Sequence, residues 1–316
     1  MKPVTYYAAA VTAFTLWGFF SLVLRPLANY AALDILFYRV FISAALMFPV
    51  SSLIRRKVWV ANRRLFSGLS HRDKRGLLFQ LFGGGLFLTG NWFSYIYVVN
   101  NVSVKASAFA YLVCPVLTTV FAWLILKEHL TRGQWLAVLL SAAGCGILAF
   151  NHLTDLLYSI VVAFSYALYL VSQRKDYGAD RFLLLSGQVL FSALLLLALF
   201  PRFHGPAPQE SRFYVLIVVI AVAFTIFPLF LNLYALKGLR SSTVGILLNI
   251  NPLVGFILAM TVFGEKVDVQ QVAAYCVIVV AVALFNLFNP VDRDGNRRRT
   301  PDVSIPDMSG VQSGGR

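Results

Sequence analysis

The side chains of this chain that could do chemistry are few, and they stand in oily surroundings. Arg39 sits inside "ILFYRVFISAALMF" (35–48), where its nearest charged neighbour in sequence is Asp34. Asn91 and Tyr95 lie one helical turn apart in "TGNWFSYIY" (89–97). Tyr111 stands four residues before Pro115, Asn249 and Asn251 stand just before Pro252, Asn232 follows Pro228, and Trp17 is the centre of "LWG" (16–18). These groups bind rather than break bonds. A guanidinium offers only donors, an amide offers both donors and acceptors, and phenol and indole add a polar tip to a flat apolar body. Such a set suits recognition of a small solute, with Arg39 facing an anionic group or a gating partner and the amides supplying hydrogen bonds. Each residue also has a structural reading. Arg39 can snorkel its charge towards the interface, amides can join helices to one another, and Trp17, Trp92, Tyr166 and Tyr169, which could wall the site with their rings, can alternatively be core or interface aromatics.

Catalytic sets are missing from the sequence. There is no HExxH, no Cys/His cluster, no pair of aspartates within an apolar run and no phosphate-binding Gly-rich loop. All four histidines (His71, His129, His152, His204) and every Asp and Glu fall in polar breaks, at block ends or in the tail, which leaves no buried proton relay to read. Cys114, Cys145 and Cys276 all lie in apolar runs, where they serve as small packing residues and not as a disulfide framework. The chain is therefore expected not to be an enzyme or an ATP-driven pump, and to need no cofactor or metal.

The elements that must position these residues follow from composition. Of the 316 residues 59% are hydrophobic and only 13% charged, and mean hydropathy is +0.75. The apolar residues come in blocks of about 20, the length that crosses a hydrocarbon core of about 30 Å at 1.5 Å per residue. The blocks predict ten spans, at 6–24, 34–53, 77–99, 105–126, 134–150, 155–172, 182–200, 213–236, 242–263 and 269–288. The fold class is all-α integral membrane. The first block is too long for a signal-peptide core and has no convincing cleavage site, so it is read as a retained span.

Orientation follows from Lys and Arg. The loop at 55–75 between the second and third blocks carries eight of them and should stay cytoplasmic, which puts both termini inside. The cytoplasmic side then holds 21 of the 27 basic residues and the opposite side five, leaving Arg39 alone inside a span. The net charge of +14 is thus a topological signal that also attracts anionic lipid headgroups. It points to no nucleic-acid partner. Residues 291–316, rich in Gly, Pro, Ser and charge, read as a disordered cytoplasmic tail.

An internal repeat organises the rest. At an offset of 137 residues, Pro115 meets Pro252, Glu128 meets Glu265 and Gln134 meets Gln271, with Tyr97 meeting Tyr234 upstream. "AFTLWGFFSLVLR" (13–25) parallels "AFSYALYLVSQRK" (163–175) at an offset of 150, the difference being absorbed by the long basic stretch. Two five-helix halves, 1–152 and 153–290, follow. Five is odd, so the second half enters the membrane inverted, the symmetry that alternating access uses. Each mid-span proline removes a backbone donor, and is expected to free the carbonyls of Tyr111 and Leu248 and make Pro115 and Pro252 kinks or gating points. Glu128, 13 residues beyond Pro115, is about 20 Å further along a helix and belongs at the headgroups.

The sequence resembles the drug/metabolite transporter superfamily, its EamA-type members, and among them the RarD-like branch. The resembling stretches are "LWG" (16–18), "FYR" (37–39), "GNWFSYIYVVN" (90–100), "AYLVCP" (110–115), "LKEHLTRGQWLAV" (126–138), "YLVSQRK" (169–175), "TIFPL" (225–229) and "NINP" (249–252), and the resemblance covers 5–288. It implies ten helices in inverted repeats and movement of a small metabolite, amino acid or drug across a bacterial inner membrane, in the export direction. One departure stands out: RarD-like proteins carry Asn-Pro in the first repeat where this chain has Cys114-Pro115. A secondary transporter predicts a polar cavity between the halves, lined by Arg39, Asn91, Tyr111, Asn232 and Asn251. A non-transporting receptor or scaffold predicts none.

Overall fold

A computed structural model describes residues 3–27, 29–101, 104–149, 153–262 and 269–288. Those residues form helices and short connections, with no strand among them. The first part contains α1 (Pro3–Gly18), α2 (Phe20–Leu24), α3 (Ala32–Pro49), α4 (Arg56–Gly68), α5 (His71–Leu78), α6 (Gly84–Asn101), α7 (Val104–Leu126) and α8 (Arg132–Ala149). The second contains α9 (Leu153–Ser172), α10 (Arg181–Phe203), α11 (Ser211–Ala221), α12 (Phe227–Gly238), α13 (Ser241–Leu247), α14 (Ile250–Thr261) and α15 (Val269–Leu287). Single π-helical turns join α3 to the Arg55 corner, α5 to α6, and α11 to α12.

Four helical stretches among the described residues are long and apolar enough to cross a membrane: Val4–Leu27, Ala32–Ile54, Arg181–Phe203 and Ser211–Gly238. Within such stretches a helix is required, because no water is present to satisfy backbone N–H and C=O groups. The surface is turned inside out relative to a soluble protein. Leu53 and Ile54 are 74% and 79% exposed, whereas Gln80, Gln188, Asn91 and Asn232 are buried. A lipid solvent asks for that arrangement, apolar side chains outward and amides inward.

The packing order positions the site. α3 lies against α10, α11 and α6; α6 and α7 both pack on α9; α1 packs on α12 and α14; α13 packs on α7. α8 and α15 form a pair at the side, with Gly144 against Ile278 and Gly133 against Phe288. Their closeness depends on glycine, since a Cβ on Gly133 would come within 2.3 Å of the Phe288 ring.

Two expectations need correction. The basic stretch 55–75 is largely helical, as α4 and α5. Val58, Asn62, Leu65 and Phe66 give α4 one inward face, and Asn62 Oδ1 accepts the Asp180 N–H at 2.9 Å. Ser70 caps α5 by accepting the Asp73 N–H. The carbonyl of Leu248 is also not free: it accepts the N–H of Asn251 at 3.0 Å. Pro252 follows a real break in the helix, at Leu248–Asn249, while α7 runs unbroken through Pro115. Glu265 and the tail 291–316 lie outside the described residues.

Candidate functional site

The site begins with a proline. Pro228 at the start of α12 has no N–H for the carbonyl four residues back, Phe224, which lies in the π turn Val222–Ile226. The indole Nε1–H of Trp17, at the end of α1, donates to that carbonyl at 2.8 Å. One end of the first part of the chain is thereby tied to a loosened turn of the second. Around this bond lies a cavity lined by Trp17, Phe20, Arg39, Asn91, Trp92, Tyr95, Tyr111, Tyr166, Phe224 and Leu229. Its empty space, open mouth included, is about 410 Å³. The space free between the walls fits about two water molecules, so this conformation is too narrow for an organic solute of any size.

Seven of the residues singled out from sequence meet here: Trp17, Arg39, Asn91, Trp92, Tyr95, Tyr111 and Tyr166. α3 brings Arg39, and α6 brings Asn91 and Tyr95 on one face, as their four-residue spacing requires. α7 brings Tyr111. Asn91 Nδ2 donates to the Val162 carbonyl at 3.0 Å, which anchors α6 to α9 and also holds this wall of the cavity. The rings form a chain: Tyr95 and Tyr111 at 5.5 Å between centroids, Tyr111 and Tyr166 at 6.5 Å, Tyr166 and Trp17 at 5.9 Å edge to face.

Arg39 is 6% exposed, and its Nε has no hydrogen-bond partner. Its guanidinium lies 4.8 Å from the Trp92 ring centroid and 5.7 Å from that of Phe20, so cation–π contact is its main protein interaction. Asp34, the acid on the same helix, accepts the Gly205 N–H at 3.0 Å.

Three of the expected residues stand elsewhere. Asn232 lies one bond behind the wall, donating Nδ2 to the Tyr166 hydroxyl at 3.1 Å. Asn249 and Asn251 sit at the break between α13 and α14; Asn249 Nδ2 donates to the Ile246 carbonyl at 3.1 Å. Pro115 and Pro252 are both buried off the cavity. Phe20, Phe224 and Leu229 were not singled out from sequence. Phe224 could have been found by counting four residues back from Pro228.

Next to the site lies a buried amide network. Gln80 Nε2 donates to the carbonyls of Ser172 and Lys175, and its own carbonyl accepts from Gln173 and Gln188. Gln188 also donates to Gln173 Oε1 at 2.9 Å, and Tyr169 donates its hydroxyl to Gln188. Beyond it, all five ion pairs among the described residues gather at one end of the bundle. Arg55–Asp180 (2.8 Å), Lys175–Asp73 (3.0 Å) and Arg174–Glu128 (3.9 Å) join the first part of the chain to the second, and Asp176 pairs with Arg181 and Lys237. Donation from Ser70 and from Lys175 holds the Asp73 carboxyl below the usual aspartate range. The Asp73 hydrogen bond raises Lys175 in turn. A left-handed backbone at Lys127 (φ 56°) turns Glu128 towards α13, where it accepts the N–H groups of Ser241 (3.0 Å) and Ser242 (3.3 Å) and the Ser242 hydroxyl (2.6 Å).

Sequence comparison matches residues 4–150 and 153–287 to the EamA-like transporter family. The chain belongs to that family. It is similar to the "Uncharacterized transporter YojE" of Bacillus subtilis, 30% identical over 285 residues covering 90% of this chain and 93% of the relative. "Protein RarD" of Escherichia coli is 27% identical over 279 residues (87% and 92%), and "Uncharacterized transporter PA0485" of Pseudomonas aeruginosa 26% over 285 (89% and 92%). A crystal structure aligns with a TM-score of 0.69 at 15% identity, over 90% of this chain and 97% of its own, a likeness of fold. As an EamA-like transporter of the drug/metabolite type, the chain is a multi-pass membrane protein.

Proposed function

We propose that the chain is a secondary transporter that moves a small organic solute, such as an amino acid, metabolite or drug, across the bacterial inner membrane by alternating access, in the export direction. Its ten helices form two inverted five-helix halves, 1–152 and 153–290, with both termini and the tail 291–316 in the cytoplasm. The observation that carries this reading is the cavity itself. α1, α3, α6 and α7 build one side and α9, α12 and the Phe224 turn the other, with Trp17 bonded across at 2.8 Å.

Packing supports the inverted halves. Exchanging the halves turns α6-on-α9 into α12-on-α1, and α3-on-α11 into α10-on-α6, and each of these pairs is in contact. The α3–α10, α8–α15 and α7–α13 contacts map onto themselves. The ion pairs and the amide network support closure at the end that carries 55–75. Exposed pairs contribute about 0–1 kcal/mol each, a suitable strength for a gate that must open in every cycle. The narrow cavity is then an occluded stage, and transport requires it to widen.

The test is uptake and counterflow in proteoliposomes with a panel of amino acids, related metabolites and antibiotics, with and without a pH gradient. Saturable flux of at least one compound is expected. Absence of flux for every compound would favour a receptor or scaffold instead. Labelling of single cysteines placed in 55–75 should occur from the cytoplasmic side only; labelling from outside overturns the orientation.

A further inference from the structure

The cavity holds one unanswered charge. Arg39 is nine-tenths buried, its Nε is unpartnered, and none of the hydrogen bonds or ion pairs among the described residues engages its guanidinium. The rings of Trp92 and Phe20 offer a quadrupole, which answers a cation only in part. Asp34 makes no ion pair with it, and its carboxylate accepts the Gly205 N–H of the α10–α11 connection. A buried cation without a counter-ion is unfavourable, and its forked N–H groups match a planar oxyanion in bidentate fashion. A cavity wall built this way is complete only when an anion is present.

The remaining walls describe the rest of the ligand. Seven of the ten lining residues are aromatic, and the others apart from Arg39 are Asn91 and Leu229. Among the described residues the lining holds no second cation for a dianion such as a phosphate monoester, and no carboxylate for an ammonium. A zwitterion would leave the pocket with its positive charge, whereas a monoanion neutralises it.

We propose that this cavity, in the widened form that transport requires, recognises an organic monocarboxylate with a flat apolar or aromatic body, its carboxylate on Arg39 and its body among Trp17, Tyr111 and Tyr166. The proposal rests on the cavity being the transport site, and it names the substrate class of that site. It also gives Arg39 a positioning function that snorkelling would not.

Trp17 and Trp92 line the cavity, so binding to the purified full-length protein in detergent can be read by intrinsic tryptophan fluorescence. The probes are 3-phenylpropionate, its neutral amide, phenylalanine as zwitterion and 2-phenylethylammonium as cation. The acid is expected to bind about tenfold or more tightly than the amide, equivalent to about 1.4 kcal/mol, with the zwitterion between acid and cation. Arg39→Gln should reduce the acid-over-amide preference to about twofold or less, and Arg39→Lys, which keeps the charge but not the fork, should retain part of it. The apo Arg39→Gln protein should melt no lower than the parent, since an unpaired buried charge is removed; a structural Arg39 would give a clear loss. Equal binding of acid and amide, no binding of any probe, or a preference that survives Arg39→Gln overturns the proposal. The same four probes in proteoliposomes separate the two readings. Selective binding without flux would reject transport and keep the anion site, whereas flux indifferent to charge and to Arg39 would keep transport and reject the anion site.

Discussion

The helices that carry Pro115 and Pro252 are counterparts in the proposed repeat, yet one is whole and the other broken. α7 continues from Val104 to Leu126 through its proline. Its counterpart stops at Leu247, turns over Leu248–Asn249, and restarts as α14 at Ile250. Proline alone therefore does not decide the outcome. At the repeat offset, Asn249 corresponds to Leu112 and Asn251 to Cys114. Asparagine amides compete with the backbone for hydrogen bonds, and Asn249 does so, its Nδ2 and backbone N–H both reaching the Ile246 carbonyl at 3.1 Å. Leu112 cannot compete, and the turn before Pro115 stays helical. Surroundings add to the difference. α7 packs along α9, while α13 leans on α7 and α14 on α1, each at a glycine: Gly245 against Thr118 and Gly18 against Val254. The asparagines permit the break, and divergent neighbours make use of it.

If α13 stands as a separate unit, it should depend on what holds its first turn. Glu128→Ala leaves the N–H groups of Ser241 and Ser242 without their carboxylate. Hydrogen bonds to a charged group contribute about 1.5–3 kcal/mol, so a stability loss of about 3 kcal/mol is expected, read as a lower midpoint in detergent unfolding. Glu128→Gln should recover part of it, because an amide oxygen still accepts. An unchanged midpoint in Glu128→Ala would mean that packing against α7 alone secures α13.

A smaller effect is expected from giving the second helix the first one's residue. Asn249→Leu removes the side-chain bond to Ile246 and also an amide oxygen that is buried without a partner. The two terms nearly cancel, for a net stability change within about 1 kcal/mol. The break should nonetheless close, lowering flux about tenfold, or about 1.4 kcal/mol in the barrier, and slowing amide exchange across 248–251. Unaltered exchange in this variant would show that Asn249 does not make the break, leaving it to Asn251 and Pro252.

The contrast also marks how much was legible beforehand. Arg39, Asn91, Tyr95, Tyr111 and Trp17 converge because a polar or amphipathic group in an apolar run must avoid lipid, and inward is the remaining direction. That rule does not separate a cavity wall from a buried seam between helices, so Asn232, Asn249 and Asn251 turn inward without lining the cavity. Phe20 and Leu229 were invisible because an apolar lining residue looks like any other core residue. α4 was hidden by its charge, since its inward face is only Val58, Asn62, Leu65 and Phe66 in a stretch dominated by arginine. The break at Leu248–Asn249 was not legible because asparagines beside a proline in an apolar run are as compatible with a kinked continuous helix as with a broken one.

The smallest effect concerns what keeps α7 whole. Among the described residues, the carbonyls of the turn ahead of Pro115 receive one side-chain hydrogen bond from another helix: the Cys145 thiol of α8 donates to the Leu112 carbonyl at 3.2 Å. A neutral hydrogen bond contributes about 0.5–1.5 kcal/mol, and a thiol is a weak donor, so Cys145→Ala should cost no more than about 1 kcal/mol. Cys145→Ser supplies a stronger donor of similar reach and should match or exceed the parent. If the thiol does steady this turn, amides after Leu112 should exchange faster in the alanine variant and at the parent rate in the serine variant. Equal exchange in both would leave α7 held by its packing on α9 alone. α7 would then need no patch for its proline, and the absence of asparagine at Leu112 and Cys114 would account for the whole difference between the two helices.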